Sequence, residues 1–161
     1  MKIYTASPLG FSEAGRYFLY EKLIPSLESA GAETIDPWNL TPQHQIDGAA
    51  AVDDPVKRKA VFRQLNTVIG KNNADGIERA DCVVAVLDGA DIDSGTAAEI
   101  GFAFAKNKII IGYRNDFRLS SDNEGSTVNL QVEYFITASG GRIVSSLNEL
   151  TALVQLFAHK K

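Results

Sequence analysis

Two near-continuous apolar runs, CVVAVLD at 82–88 and KIIIGY at 108–113, constrain this chain most. Strands that are apolar at almost every position are buried on both faces, which is the environment of a parallel sheet covered by helices above and below. The segment between them supplies the crossover that two parallel strands need. It is an acidic loop, DGADIDSG, followed by a helix of mostly small residues expected over 95–106. Ala97, Ala98, Gly101 and Ala105 allow that helix to lie close to a sheet. A helix that opens just past the carboxyl end of a parallel strand marks the place where open α/β sheets put their ligands.

The remaining elements follow the same alternation. KIYTA (2–6) reads as a first strand broken by Pro8 and Gly10. Tyr17, Tyr20, Leu23, Ile24 and Leu27 recur at helical spacing, so 12–30 is expected to be helical, kinked or divided at Pro25 and stopped at Gly31. Residues 32–35 form a short second strand, and 36–51, with two prolines and no clear period, read as a loop of functional length. Asp54-Pro55 opens a long helix to about Arg79, with a possible break at 70–73. Residues 114–127 read as a mobile polar loop, 129–137 as a helix stopped by Gly140-Gly141, and 142–144 as a last strand. Ser146 and Glu149 form a capping box for a terminal helix to about Ala158. The expected architecture is α/β: one domain over 1–161, a doubly wound, flavodoxin- or Rossmann-like parallel sheet of five strands, with helices on both faces.

Charge and composition narrow the function. A net charge of -4 disfavours a nucleic-acid backbone as partner, although single nucleosides remain possible. No apolar run reaches the roughly 20 residues of a membrane span, and MKIYTASPLG lacks the apolar stretch of a signal peptide, so a cytoplasmic, membrane-free protein is expected. The lone cysteine, Cys82, reads as a small buried hydrophobe. His44 and His159 lie far apart without cysteines at ligand spacing, so no metal site is expected.

Chemistry concentrates on the acidic loop and its helix. Glu99 falls in the first turn of the expected helix, six residues after Asp93, and the two carboxylates form a candidate nucleophile and acid pair. The structural alternative is a capping box, Thr96-Ala97-Ala98-Glu99. Asp88, ending the central strand, is either a site residue or the start of an Asp-Gly turn. Tyr4 reads alone as a core aromatic and Asn129 as a helix cap. Gln43 or Gln45 offers an amide for a base edge or simply faces solvent, and Phe11 and Trp38 are stacking surfaces or core.

Four separated pieces, KIYTASPLGF (2–11), NNADGIERADCVVAVLDG (72–89), DIDSGTAAEIGFAFA (91–105) and NLQVEYFI (129–136), together resemble the nucleoside 2-deoxyribosyltransferase family. The third looks like its D-x-G-T-x-x-E-x-G signature and places Gly95 beside the acidic pair. The resemblance implies exchange of the base on a 2'-deoxyribonucleoside with retention of configuration. Glu99 would form a covalent deoxyribosyl intermediate, Asp93 would contact the base and assist its protonation, and Tyr4 would orient the nucleophile. It implies that Asn129 is lent to a neighbouring subunit's site, hence at least a dimer, and that deoxyribonucleosides and free bases are the partners. No metal or organic cofactor is implied. Asn73 stands where some members carry an acid that helps hold the base, which leaves base preference open.

Other readings compete. A related branch hydrolyses nucleoside 5'-monophosphates and carries a Gly- and Arg-containing loop after the first strand; here SPLGFSEAGR offers only Arg16. A nucleotide sensor on the same fold needs no nucleophile. A phosphoacceptor receiver needs acids at the end of the first strand, which KIYTAS lacks, and neither G-x-G-x-x-G nor G-x-x-x-x-G-K-[ST] is present.

Overall fold

The computed structural model describes residues 1–158; His159 lies outside the described residues. Five parallel strands, β1 (Lys2–Ala6), β2 (Glu33–Ile35), β3 (Cys82–Val86), β4 (Ile109–Tyr113) and β5 (Ile143–Val144), form one sheet in the order β2-β1-β3-β4-β5. The strand order reverses between β1 and β3, where Tyr4 pairs with Val83 and Ala6 with Ala85. The α/β architecture is the expected one.

Alternation along the strands builds two cores. Ile3, Val84 and Ile111 face a layer closed by Leu19, Leu23 and Leu27 and by Leu150, Leu153 and Val154. Tyr4, Val83, Ala85 and Ile110 face the opposite layer, closed by Ile77, Ile100, Ala103 and Ile136. The first layer belongs to α1 (Glu13–Phe18), α2 (Ile24–Ser29), the helical stretch Leu19–Leu23 that joins them, and α7 (Leu147–Ala158). The second belongs to α4 (Pro55–Arg79), α5 (Ser94–Ala105) and α6 (Leu130–Ala138). No helix among the described residues is long and apolar enough to cross a membrane.

Several local expectations are refined or corrected. Residues 13–29 are divided just ahead of Pro25: the preceding turn widens to a π-helical stretch, Leu19–Leu23, closed by the Ile24 N–H reaching the Leu19 carbonyl, and α2 starts at Ile24. Such a bulge absorbs the hydrogen bond a helical proline cannot make. Residues 36–51 are largely ordered into a 3-10 turn, Pro37–Asn39, and α3, Gln43–Ala50. α3 escaped notice because Ala49 is its one buried residue, so it has no apolar stripe. α4 runs unbroken through Gly70, its Asp54 cap accepting from the Val56 and Lys57 amides. Gly76 sits on the face of α4 that meets the sheet, where a Cβ would stand 2.9 Å from Leu40 and 3.1 Å from the Tyr4 ring.

The loop after β4 is anchored at its start. The buried Arg114 guanidinium donates to the carbonyls of Leu87, Gly89 and Arg118, and Asp116 accepts from the Gly89 amide. α6 stops where Gly140 takes a φ of 86°. At α7 the capping box is half formed: Ser146 Oγ accepts from the Glu149 amide, but the Glu149 carboxylate reaches back to Ser145.

Candidate active site

Tyr4 lies on the central pair of strands with its side chain toward α4 and α5, and it is fully buried. Its hydroxyl donates to Glu99 Oε1 at 2.5 Å, a contact between residues 95 apart in sequence. Glu99 is the sixth residue of α5, in its second turn rather than its first. Asp93 is the N-cap of that helix: its Oδ2 accepts from the Thr96 amide at 2.9 Å and from the Thr96 hydroxyl at 3.3 Å. Thr96 is therefore inside the helix, and Glu99 takes no part in capping. The capping-box alternative for Glu99 is set aside by this geometry, and Glu99 is released to face the sheet.

Burial pushes the Glu99 carboxyl up to about 7, with the Asp93 charge adding to the rise and the Tyr4 hydrogen bond opposing it. The Tyr4 hydroxyl is pushed far above its ordinary range by burial first and by the Glu99 charge second. Tyr4 therefore keeps its proton, and its role at this oxygen is to donate a hydrogen bond.

Glu99 opens onto a cavity of about 410 Å³ at the carboxyl ends of β1 and β3, the switch point of the sheet. Asn73 lies beside it on α4, with Nδ2 3.5 Å from Glu99 Oε1. Asp93 and Gly95 form the rim at the start of α5, and Phe11 and Trp38 form the far wall. Trp38 is held at three points. Its indole N–H donates to the Ser7 carbonyl at 3.3 Å, its amide donates to Asp36 Oδ1 at 3.1 Å, and the Phe11 ring meets it edge-on with centroids 4.7 Å apart. Asp36 is itself fixed by the Tyr20 hydroxyl at 3.0 Å and the Asn39 amide at 2.7 Å, and burial raises its carboxyl. A second, more open groove of about 270 Å³ between α4 and α5 meets the first at Asn73, Gly95 and Glu99.

The structure thus brings together Tyr4, Asn73, Asp93, Gly95, Glu99 and Phe11. It places three other expected residues elsewhere. Asp88 accepts from the amides of Asn115 and Asp116 and pins the loop after β4. Gln43 is exposed on α3 and donates to Asp47 at 2.9 Å. Asn129 caps α6, its Oδ1 accepting from the amides of Gln131 and Val132. Sequence reasoning passed over Ser7, Asn66 and Ile69, which also line the cavity. Ser7 had a usable signal, since it directly follows the first strand at its ligand-binding end. Asn66 and Ile69 had none. Among the described residues no group of three or more His, Cys, Asp or Glu side chains is set to hold a metal ion.

Residues 3–131 match the family model described as nucleoside 2-deoxyribosyltransferase. This chain belongs to that family. The match spans Tyr4, Asn73, Asp93 and Glu99. Membership of the nucleoside 2-deoxyribosyltransferase family supports an enzyme acting on nucleosides. No curated protein matches the chain. Among solved structures, a conserved protein from Enterococcus faecalis V583 is similar at 25% identity and a TM-score of 0.65, covering 97% of this chain and 98% of its own. A 2-deoxyribosyltransferase from Bacillus psychrosaccharolyticus is similar at 24% identity and 0.62, covering 96% of each chain. A CMP N-glycosidase from Clostridium botulinum is similar at 22% and 0.54, covering 98% of this chain and 99% of its own. At these last two identities the likeness speaks to the fold, the five-stranded α/β fold that deoxyribosyltransferases share.

Proposed function

We propose that this chain transfers 2-deoxyribose between nucleobases by a retaining double displacement. The Glu99 carboxylate attacks C1' of a deoxyribonucleoside, the bond from C1' to the base nitrogen breaks, and the base departs with a proton whose delivery Asp93 assists. The incoming base then attacks C1' from the vacated face, loses its N–H proton, and Glu99 leaves as carboxylate. Two inversions retain the β configuration, the logic of a retaining glycosidase with a base in place of water. The observation that carries this reading is the Tyr4 hydrogen bond to a half-buried carboxylate that opens onto the cavity, with Asp93 at the rim.

Among the described residues, the cavity lining includes two carboxylates, Asp93 and Glu99, and no Lys or Arg. That favours an unphosphorylated nucleoside over a 5'-monophosphate, whose charge calls for a cation. Trp38 and Phe11 offer aromatic surface for a base. Deoxyribonucleosides and free bases are the proposed partners, the cytoplasm the proposed compartment, and a homo-oligomer with Asn129 lent to a neighbour the proposed assembly.

The test is chromatography of the protein incubated with deoxyinosine and cytosine, beside deoxyinosine alone. Deoxycytidine is expected only where cytosine is present. Hypoxanthine and free deoxyribose without exchange would replace the proposal with hydrolysis.

A further inference from the structure

Two donors converge on one oxygen of Glu99. The Tyr4 hydroxyl reaches Oε1 at 2.5 Å and Asn73 Nδ2 stands 3.5 Å from the same atom. Oε2 accepts from no described side chain. Asn73 Oδ1 is buried and has no hydrogen-bond partner. The orphan oxygen is informative: turned the other way, the amide would face an acceptor with an acceptor, so its N–H belongs toward the carboxylate. A buried acceptor left unmade costs free energy, so what the amide contributes here lies on its donor side.

The groups facing Glu99 are few. β1 contributes Tyr4, the start of α5 contributes Asp93, and α4 contributes the neutral Asn73. All four ion pairs among the described residues engage other carboxylates. Burial and Asp93 both oppose a charge on Glu99, and the Tyr4 hydrogen bond opposes them; the Asn73 amide adds a second, longer contact to the same oxygen. We propose that Asn73 is a positioning residue for Glu99: with Tyr4 it clamps Oε1, favours the carboxylate form, and leaves Oε2 to meet the sugar carbon. The inference rests on the reading of Glu99 as nucleophile, and it moves Asn73 from base recognition to the nucleophile itself. An acid at this position would set a second negative charge against Oε1. Two carboxylates sharing a site do not both ionise readily, and one is forced to higher pH. Asparagine donates without that penalty and extends the working range toward acid.

The experiment titrates Glu99 directly in the full chain labelled with carboxyl-13C glutamate, its resonance assigned by its loss in Glu99→Gln. The wild-type midpoint is expected near 7. Asn73→Asp is expected to raise it by about one unit or more, and Asn73→Leu, which removes the donor while keeping bulk, to raise it by less. The acid limb of kcat/KM is expected to move with it. A midpoint unmoved in both variants overturns the clamp, as does a loss of rate that is uniform across pH. If Asn73→Asp fails to fold, Asn73→Leu decides the same question. The resonance reports whether or not bases are exchanged, so a moving midpoint without transfer would sink the proposed function and the role given to Oε2, and leave only the Asn73 effect on Glu99 ionisation standing.

Discussion

Glu99 sets folding against chemistry at a single carboxyl. Its folded value of about 7 lies above the ordinary 4.5, so the folded state holds the proton more tightly than the unfolded chain does. The stability this contributes is fully present below 4.5 and is lost as pH rises through about 7. As the proposed nucleophile Glu99 must be ionised to attack, so activity is expected to rise over the same interval in which stability falls. At pH 8 the loss amounts to at most about 3 kcal/mol, from the pKa difference and before any discount for solvent. Glutamine keeps the acceptor for Tyr4 and never ionises. Glu99→Gln is therefore expected to abolish transfer and to raise Tm at pH 8 by roughly 3–8 °C, with the gap closing toward pH 4. Calorimetry at both pH values checks this. Equal melting of the two proteins at pH 8 would mean that the carboxylate is better solvated than its burial implies.

At the scale of elements, the cavity wall depends on a close approach between the turn after β1 and the residues after β2. A Cβ on Gly10 would stand 2.2 Å from two atoms of the Trp38 ring, so no other residue type leaves the indole where it is. Gly10→Ala is expected to displace Trp38, raising KM for the nucleoside severalfold and lowering stability by about 1–3 kcal/mol. Kinetics and thermal melting on the same preparation test it. An unchanged KM would show that Trp38 does not bound the substrate. The same region shows where sequence reading ends. The apolar runs of β3 and β4 were plain, because burial on both faces leaves an unmistakable pattern. The 3-10 turn and α3 were not, since their residues are polar or small and their order comes from tertiary bonds such as Asp36 with Tyr20 and Asn72 with the Leu40 carbonyl. Gly70 looked like a break in α4, yet a Cβ there would meet nothing within 4 Å; packing elsewhere along the 25 residues holds the helix.

For the whole molecule, a parallel sheet covered on both faces follows from alternation, but the strand order and the meeting of Tyr4 and Glu99 across 95 residues do not. Their pairing was readable only through resemblance to a family, because periodicity reports which face a residue takes and not which residue it touches. Asn129 shows the other limit: a role in a neighbour's site leaves no trace in one chain, where it is a helix cap. The two roles make different predictions. Asn129→Ala removes both and is expected to cost about 1 kcal/mol as a lost cap. Asn129→Ser keeps a capping hydroxyl, so stability should be nearly retained. If the residue also serves a neighbour, transfer should still fall in Asn129→Ser. Mixing settles the assembly. Glu99→Gln and Asn129→Ser chains, each impaired alone, combine in a shared oligomer so that some sites draw Glu99 from one parent and Asn129 from the other. Activity should then reappear after the two are mixed under conditions that exchange subunits, reaching at most a fraction of wild type. A mixture no more active than the average of its parents would confine Asn129 to its own helix and leave each site to be completed within a single chain.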